Sequence, residues 1–355
     1  MSQGVKREKG EISANSEENC LITEVHKQNF IKEMKQINQV IAEGYTLIAL
    51  DTEFPGLIYF PKFENKFENF FSECIHQNSE LIRKYNYNTI KLNVDYLKLI
   101  QIGISLYNPK TEQKKTWQFN LDFNLQTENY SNESIELLEK SGIYFKNLKA
   151  NGIQLSLLAE YFIISGLFLN SEITWITFHG NYDFAYILKL LINEHLPEKE
   201  EDFMNLLKIY FPKFYDLKYL LQNSNFLEGG LNKLSKTLHI QRQGYQHQAG
   251  SDSLLTIEIF LKLKKSYFHE KRLEQETNRI WGMTDDYDAA QILDYLLKNY
   301  TFSNYFYTNY YFQMANGGLK SGANNSNVAW NNNNNIGINY ITEKSRKNKC
   351  VDVDV

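Results

Sequence analysis

Cysteines are few in this chain and lie far apart. Among its 355 residues only Cys20, Cys74 and Cys350 occur, an odd number without CxxC spacing. This usage argues against a disulfide framework and against a thiolate zinc site. It is typical of a reducing compartment, so we expect a cytoplasmic protein, with the nucleus as a second compartment.

Long apolar runs are also missing. The longest, residues 155–169, is interrupted by Glu160 and is too short to span a bilayer. The first residues, MSQGVKREKGEIS, contain no apolar core of the kind found in a signal peptide. We therefore expect a soluble, intracellular protein that has no membrane partner.

The chain carries no excess of positive charge. Its formal net charge is −4 and its pI is about 6.0, which argues against a protein that coats nucleic acid through a general basic field. Any contact with nucleic acid must then be local and assisted by metal ions, as for a substrate held by its end. Hydrophobic residues make up 43% of the chain, enough for one large domain with tails.

Hydrophobic patterns along the chain predict an α/β protein, because strand and helix patterns alternate. Apolar stretches bounded by turn residues predict strands at 45–54, 99–107, 116–123 and 173–178. Spacings of three and four residues predict helices at 30–41, 134–140, 155–168, 182–195, 200–210, 231–238 and 251–267.

Composition divides the chain into a central domain and two extensions. Residues 1–22 are polar and charged, so we expect a flexible N-terminal extension. We place the domain at 23–275, with an aromatic and charged insertion at about 62–88 that contains some helix. Residues 276–355 form a Tyr- and Asn-rich extension that we expect to be largely disordered from about 315. For the aromatic cluster at 300–312, we expect disorder or packing on the domain, with stacking on bases as the alternative.

Two acidic residues end the first predicted strand. Asp51 and Glu53 in ALDTEFPG are two positions apart, so their side chains leave the same face of the sheet. Two like charges at that spacing are costly without a cation. Exposure to solvent at a strand end is the alternative, but the preceding TLIAL is apolar in both registers and predicts a covered central strand.

Two further aspartates lie at predicted helix starts. Asp183 in FHGNYDF follows a predicted strand, and Asp252 in HQAGSDSLLT follows a glycine break. Either could simply cap its helix or favour the helix dipole. Together with the DxE pair, however, they complete a set of four carboxylates that can hold two Mg²⁺ or Mn²⁺ ions, hard cations that prefer oxygen.

Two histidines are candidates for a base beside such a centre. His247 precedes Asp252 by five residues in a predicted loop, where an inert surface histidine is the alternative. His179 ends a predicted strand, where a buried hydrogen-bonding role is favoured over ligation or base work. The candidate site therefore consists of Asp51, Glu53, Asp183, His247 and Asp252.

With these residues in place, the sequence resembles the DEDD exonuclease superfamily in its His-containing branch, and within it the Caf/Pop-type deadenylase subunit of the CCR-NOT mRNA decay complex. The resemblance runs from Gln28 to Phe268 through ALDTEFPG, LKLIQIGISLYN, FHGNYDFAYILKLL, YDLKYL and HQAGSDSLLT, in that order. It implies a ribonuclease H-like mixed central sheet flanked by helices. Tyr245 stands where the family usually has proline, and FHGNYDF carries its glycine one place early, so the loops beside the site differ from the family pattern.

The resemblance also implies a metal-dependent 3′ to 5′ exoribonuclease that shortens poly(A) tails and releases 5′-AMP. Asp51 is then expected to bridge two divalent ions, with Glu53 and Asp252 completing the first site. Asp183 is expected to support the second ion. His247 is expected to orient or deprotonate the attacking water.

Partners are implied by the same resemblance. They are the 3′ end of single-stranded poly(A) RNA, a large scaffold, and the second deadenylase of the CCR-NOT complex. Two alternatives stay open from the residues alone. One is a 3′ exonuclease that acts on other RNA or on single-stranded DNA, and the other is an adaptor subunit that bridges a scaffold to RNA-binding proteins.

Overall fold

The computed structural model of the chain describes residues 22–61, 79–222 and 230–284. Within these residues the fold is built on a six-stranded mixed sheet with the strand order β1-β4-β3-β2-β5-β6. Its strands are β1 (Ile22–Val25), β2 (Leu47–Glu53), β3 (Gln101–Tyr107), β4 (Lys114–Asn120), β5 (Thr174–Thr177) and β6 (Phe214–Asp216). Strand β2 is central, antiparallel to β3 and parallel to β5. Strand β3 is antiparallel to β4, whereas β1–β4 and β5–β6 are parallel pairs.

Helices flank this sheet. Those before β5 are α1 (Phe30–Ala42), α2 (Ser79–Tyr96), α3 (Asn132–Lys140), α4 (Phe145–Asn151) and α5 (Leu155–Ile164). The later ones are α6 (Asn181–Ile192), α7 (Glu200–Tyr210), α8 (Leu217–Leu221), α9 (Leu231–Thr237), α10 (Ala249–Ser266) and α11 (Glu270–Gln275). The predicted α/β class with a mixed sheet is confirmed. No helix in the described ranges combines the length and the apolar character that a bilayer crossing requires.

Most predicted elements match observed ones. The four predicted strands correspond to β2, β3, β4 and β5, and the predicted helix at 200–210 has the bounds of α7. Strands β1 and β6 were missed because four and three residues are too short for a periodic pattern. The predicted helix at 155–168 ends earlier, at Ile164, and Gly166 follows in a left-handed conformation with φ 76°.

Packing extends beyond the boundaries that composition indicated. Helix α2 overlaps the second half of the expected insertion at 62–88, and its Tyr85 and Tyr87 are buried. Past residue 275, where composition placed the end of the domain, Ile280 and Trp281 are also buried. Residues 1–21, 62–78 and 285–355 lie outside the described residues, and with them most of both predicted extensions.

The two faces of β2 pack against different helices. Ile48 and Leu50 point to one face and join a core cluster that includes Phe184 of α6. Ala49 points to the other face, in a cluster with Leu254 of α10. Because side chains alternate along a strand, the next residues of β2 follow the same division between the α6 face and the α10 face.

The start of α10 lies directly on the sheet. Gly103 of β3 is the pairing partner of Asp51 on one side and of Gln118 on the other. A Cβ atom at Gly103 would overlap the backbone carbonyl of Ala249, so only glycine permits this approach. The Gln118 side chain accepts a hydrogen bond from Gly250 N at 2.8 Å, and the Gln101 side chain accepts one from Ala249 N at 3.3 Å. These glutamines satisfy N–H groups that a helix start leaves unpaired, and they fix where α10 begins.

We expect Gly103→Ser to lower the free energy of unfolding by about 1 to 3 kcal/mol, because the added side chain pushes α10 off the sheet. Gly230→Ser is the matched control, since a Cβ at Gly230 meets no atom within 4 Å and serine suits a helix N-cap. The control should change stability by less than about 0.5 kcal/mol. Urea denaturation measures both, and equal stabilities would contradict this account of the packing.

Candidate active site

Asp51 and Glu53 occupy the carboxyl end of the central strand β2. They pair with Gly103 and Gln101 of β3, and both are half-buried. Their side chains leave the same face of the sheet, as predicted from their spacing, and α10 lies on that face. Both carboxylates therefore lie beside the point where the first turn of α10 meets the sheet.

Asp252 reaches this point from the first turn of α10 and is 7% exposed. One ligand atom from each of Glu53, His247 and Asp252 lies within 4.8 Å of the other two. This spacing suits a shared metal ion. Two of the three segments that we expected to converge thus bring ligand atoms within 4.8 Å of each other.

Asp183 arrives from the opposite face of the sheet. It lies in the first turn of α6 and is 7% exposed. Thr52, between the two acids of the DxE pair, points to the α6 face, and its Oγ1 donates to Asp183 Oδ1 at 2.6 Å. The fourth carboxylate is therefore held at the end of β2 by the residue between the other two acids. Alternation along the strand could have identified Thr52, which was not among the predicted site residues.

Burial raises the pKa of all four carboxylates, and repulsion from the other carboxylates adds to the shift at Asp51 and Glu53. Burial raises the pKa of Asp51 well above its usual range, and the charges of Asp252, Asp183 and Glu53 raise it further. Burial also raises the pKa of Glu53 well above its usual range, and the charges of Asp252 and Asp183 raise it further. The pKa of Asp183 is raised to about 7, mainly by burial and against the lowering effect of the hydrogen bonds from Thr52. Keeping all four groups ionised at neutral pH is costly without a cation, and hard divalent ions relieve that cost.

Arg242 is a member of the site that sequence reasoning missed. Its guanidinium forms an ion pair with Asp252 Oδ1 and donates to Ser251 Oγ at 2.9 Å and to Asn232 Oδ1 at 2.6 Å. Burial raises the pKa of Asp252, and Arg242 opposes this by stabilising the ionised carboxylate. The signal in the sequence was an arginine five residues before His247, in the same polar loop.

His247 is held in place by its own backbone. It adopts a left-handed conformation with φ 60°, and its N–H donates to Asp252 Oδ2 at 3.0 Å. The next residue, Gln248, is fixed by a hydrogen bond from Gln118 Nε2 at 2.6 Å and by its own donation to Ser141 O at 2.9 Å. The loop is therefore pinned on both sides, and the His247 imidazole stays beside Glu53 and Asp252.

His179 belongs to a different cluster. Burial, and then the charge of Lys218, lowers its pKa well below its usual range, and its ring packs edge-on against Trp281. Its backbone N–H donates at 2.7 Å to the fully buried Asp216, which also accepts from Lys218 N at 3.0 Å and from Trp281 N at 3.1 Å. Asp216, which sequence reasoning also missed, thereby ties down the loop that leads into α6 and Asp183.

A sequence model described as CAF1 family ribonuclease matches residues 25–161 and 163–260, about two thirds of the chain. The chain belongs to the CAF1 ribonuclease family. Fission yeast poly(A) ribonuclease pop2 is 42% identical over 265 residues, which cover 74% of this chain and 75% of that protein. The probable CCR4-associated factor 1 homolog 10 of Arabidopsis thaliana is 40% identical over 275 residues, 75% of this chain and 94% of that one.

Solved structures of this family share the fold. Fission yeast Pop2p in its Mg²⁺- and Mn²⁺-bound form matches with a TM-score of 0.65 at 42% identity, covering 74% of this chain and 99% of that one. The RNase domain of yeast Pop2 matches with a TM-score of 0.62 at 30% identity, covering 76% of this chain and 96% of that one. The CAF1 chain co-crystallized with the yeast NOT1 MIF4G domain matches with a TM-score of 0.59 at 26% identity, covering 76% of this chain and 100% of that one. The family and the ribonuclease H-like fold expected from the resemblance are confirmed.

The raised pKa values of the site carboxylates predict how the stability of the metal-free protein changes with pH. A carboxyl whose pKa is higher in the folded state stabilises the fold at low pH, and this contribution is lost as pH rises through the folded value. For Asp183 the loss falls between its usual pKa of 3.8 and about 7. We therefore expect the melting temperature in EDTA to fall from pH 5 to pH 8, and saturating Mn²⁺ to raise it by about 5 to 10 °C at pH 8 but by less at pH 5.

Asp51→Asn combined with Glu53→Gln is the control for this measurement. Removing two of the crowded charges should flatten the pH dependence and reduce the Mn²⁺ response. Differential scanning fluorimetry of both proteins at matched ionic strength gives the comparison. An Mn²⁺ response of equal size at pH 5 and pH 8 would show that the carboxylates are not the groups that bind the ion.

Proposed function

We propose that the protein is a 3′ to 5′ exoribonuclease that shortens poly(A) tails and releases 5′-AMP with the help of two divalent ions. The observation that carries this proposal is the convergence of acidic side chains from β2, α6 and α10 on the end of one strand. Membership of the CAF1 ribonuclease family supports the reaction class. The name of the pop2 relative supports poly(A) as substrate, and the Mg²⁺- and Mn²⁺-bound relative supports divalent metals.

The carboxylates divide into two sets of ligands. Asp51 lies on the central strand, and the charges of all three other carboxylates raise its pKa, so it would be a ligand of both ions. Glu53 and Asp252 have ligand atoms within 4.8 Å of each other and would complete the first site. Asp183, held by Thr52 from the other face, would serve the second. When bound, the ions supply the positive charge that stabilises the attacking and leaving oxygens of an in-line displacement.

His247 and Arg242 have separate tasks in this scheme. The His247 imidazole lies beside Glu53 and Asp252, where it can take or orient the proton of the attacking water. Arg242 favours the ionised form of Asp252 and holds this carboxylate in position as a ligand. Neither task requires the backbone to move, because hydrogen bonds fix both the His247 loop and the start of α10.

We further propose that the protein works within a CCR-NOT complex in the cytoplasm, with the nucleus as a second compartment. The co-crystallized NOT1 MIF4G domain of the yeast relative supports a large scaffold as one partner. The name of the Arabidopsis relative supports association with the second deadenylase. A scaffold contact is compatible with catalysis, so the adaptor and enzyme roles coexist.

We expect the purified full chain with Mn²⁺ to shorten an RNA bearing a 3′ tail of twenty adenines, and Asp51→Asn to reduce the rate at least about 100-fold, since several kcal/mol of charge stabilisation is removed. Labelled RNA resolved on a gel gives the rate, and chromatography identifies 5′-AMP. Tails of U or C and a DNA oligomer test the adenine preference. Lys208→Gln, an exposed substitution on α7, is the control and should cut like the wild type.

Undiminished cutting by Asp51→Asn would overturn the site assignment. Equal rates on A, U, C and DNA ends would replace the poly(A) assignment with a general 3′ exonuclease. If Asp51→Asn restored mRNA turnover in cells as well as the wild type does, the adaptor role would account for the protein's contribution to mRNA turnover.

A further inference from the structure

A groove of about 580 Å³ opens between the turn joining α3 to α4 and the segment 124–126 that follows β4. Its apolar part is formed by Leu125, Ile143 and Phe145. The last two are buried in the small core beneath α3 and α4. The groove is thus a surface depression whose base is formed by side chains of a packed core.

The rim of this groove carries an aromatic ring and two cations. Tyr144 is 77% exposed, far more than a tyrosine that packs into a core. Lys146 and Lys149 are exposed and three residues apart, so they lie on the same face of α4. Lys149 Nζ donates to Gln126 Oε1 at 3.1 Å, and neither lysine pairs with a carboxylate of the described residues. Glu139 is the acidic residue of the lining.

Helix α3 lies beside this groove, and residues at both of its ends form hydrogen bonds to segments that carry candidate site residues. At its start, Ser131 N donates to Pro55 O at 2.8 Å, two residues after Glu53. At its end, Ser141 O accepts from Gln248, the neighbour of His247, at 2.9 Å. Tyr144 follows Ser141 by three residues, so their Cα atoms are no more than about 11 Å apart. A strand whose end lies at the carboxylates needs only a few nucleotides to reach Tyr144.

We propose that this groove binds the single-stranded RNA a few nucleotides upstream of the 3′ end, with Tyr144 stacking on a base and Lys146 and Lys149 contacting phosphates. The inference rests on the proposed function. It explains how a chain of net charge −4 holds a polyanion, since the binding charge is local. Stacking on an exposed ring accepts any base, so the groove adds affinity without adding adenine selectivity.

The direct test measures binding to the Asp51→Asn protein, which keeps the RNA intact. Fluorescence anisotropy compares a labelled fifteen-nucleotide oligoadenylate with the dinucleotide ApA, which extends no further than the scissile bond. In this background we expect Tyr144→Ala to weaken binding of the long RNA about five-fold or more, with Tyr144→Phe close to wild type, because only the ring is needed. Binding of ApA should not change.

Salt dependence separates the stacking interaction from the ionic one. The double substitution Lys146→Gln and Lys149→Gln should reduce the slope of log affinity against log salt by about 0.7 for each phosphate that a lysine no longer neutralises, and Tyr144→Ala should leave the slope unchanged. The matched controls are Lys208→Gln on α7 and Tyr267→Ala. Tyr267 is the C-cap of α10, about 22 Å along the helix from Asp252. Neither control should alter the affinity or the slope.

Kinetics of the otherwise wild-type enzyme complete the test. The groove variants should raise KM for the long RNA about five-fold or more, with kcat nearly unchanged. Long-RNA affinity that is the same in all variants would overturn the groove assignment and leave the depression for a protein partner. Groove-dependent binding without any cutting by the wild type would instead contradict the proposed function and leave the groove assignment standing.

Discussion

Electrostatic crowding at the end of β2 is the constraint on which the rest of this structure depends. Two carboxylates from one strand and one from each of two helices lie at this strand end. Burial raises the pKa of all four, and repulsion from the other carboxylates raises it further at Asp51 and Glu53. Such an arrangement costs folding free energy unless cations neutralise it. The fold must therefore hold these groups together without relying on attraction between them.

Small, specific contacts meet that requirement. Gly103 allows the first turn of α10 to rest on β3, and the strand glutamines Gln101 and Gln118 bind its free N–H groups. Thr52 holds Asp183 on the opposite face of the same strand. Arg242 supplies one fixed positive charge, which lowers the repulsion around Asp252. Strand β2 lies centrally between β3 and β5, where both helix layers can reach it.

The acidic residues were predictable because their positions follow from periodicity. Alternation along a strand put Asp51 and Glu53 on one face, and helix-start patterns located Asp183 and Asp252. What sequence periodicity cannot supply is which face each helix covers, so the approach of Asp183 through Thr52 was not foreseen. Asp216 was missed for a related reason, since its partners His179 and Trp281 lie 37 and 65 residues away in sequence. Arg242 lies in the same loop as His247, but the sequence does not show that its guanidinium reaches Asp252. The backbone N–H of Trp281 likewise donates to Asp216, 65 residues earlier, a contact that composition could not indicate.

Anomalous diffraction from crystals soaked in Mn²⁺ tests the central claim most directly. The account predicts two anomalous peaks at the end of β2, with Asp51 contacting both, Glu53 and Asp252 contacting one, and Asp183 contacting the other. Inter-ion spacing should be about 3.5 to 4 Å, as in other two-metal sites. A single peak, or peaks that Asp51 does not contact, would contradict the claim that these four carboxylates are gathered to hold a pair of ions.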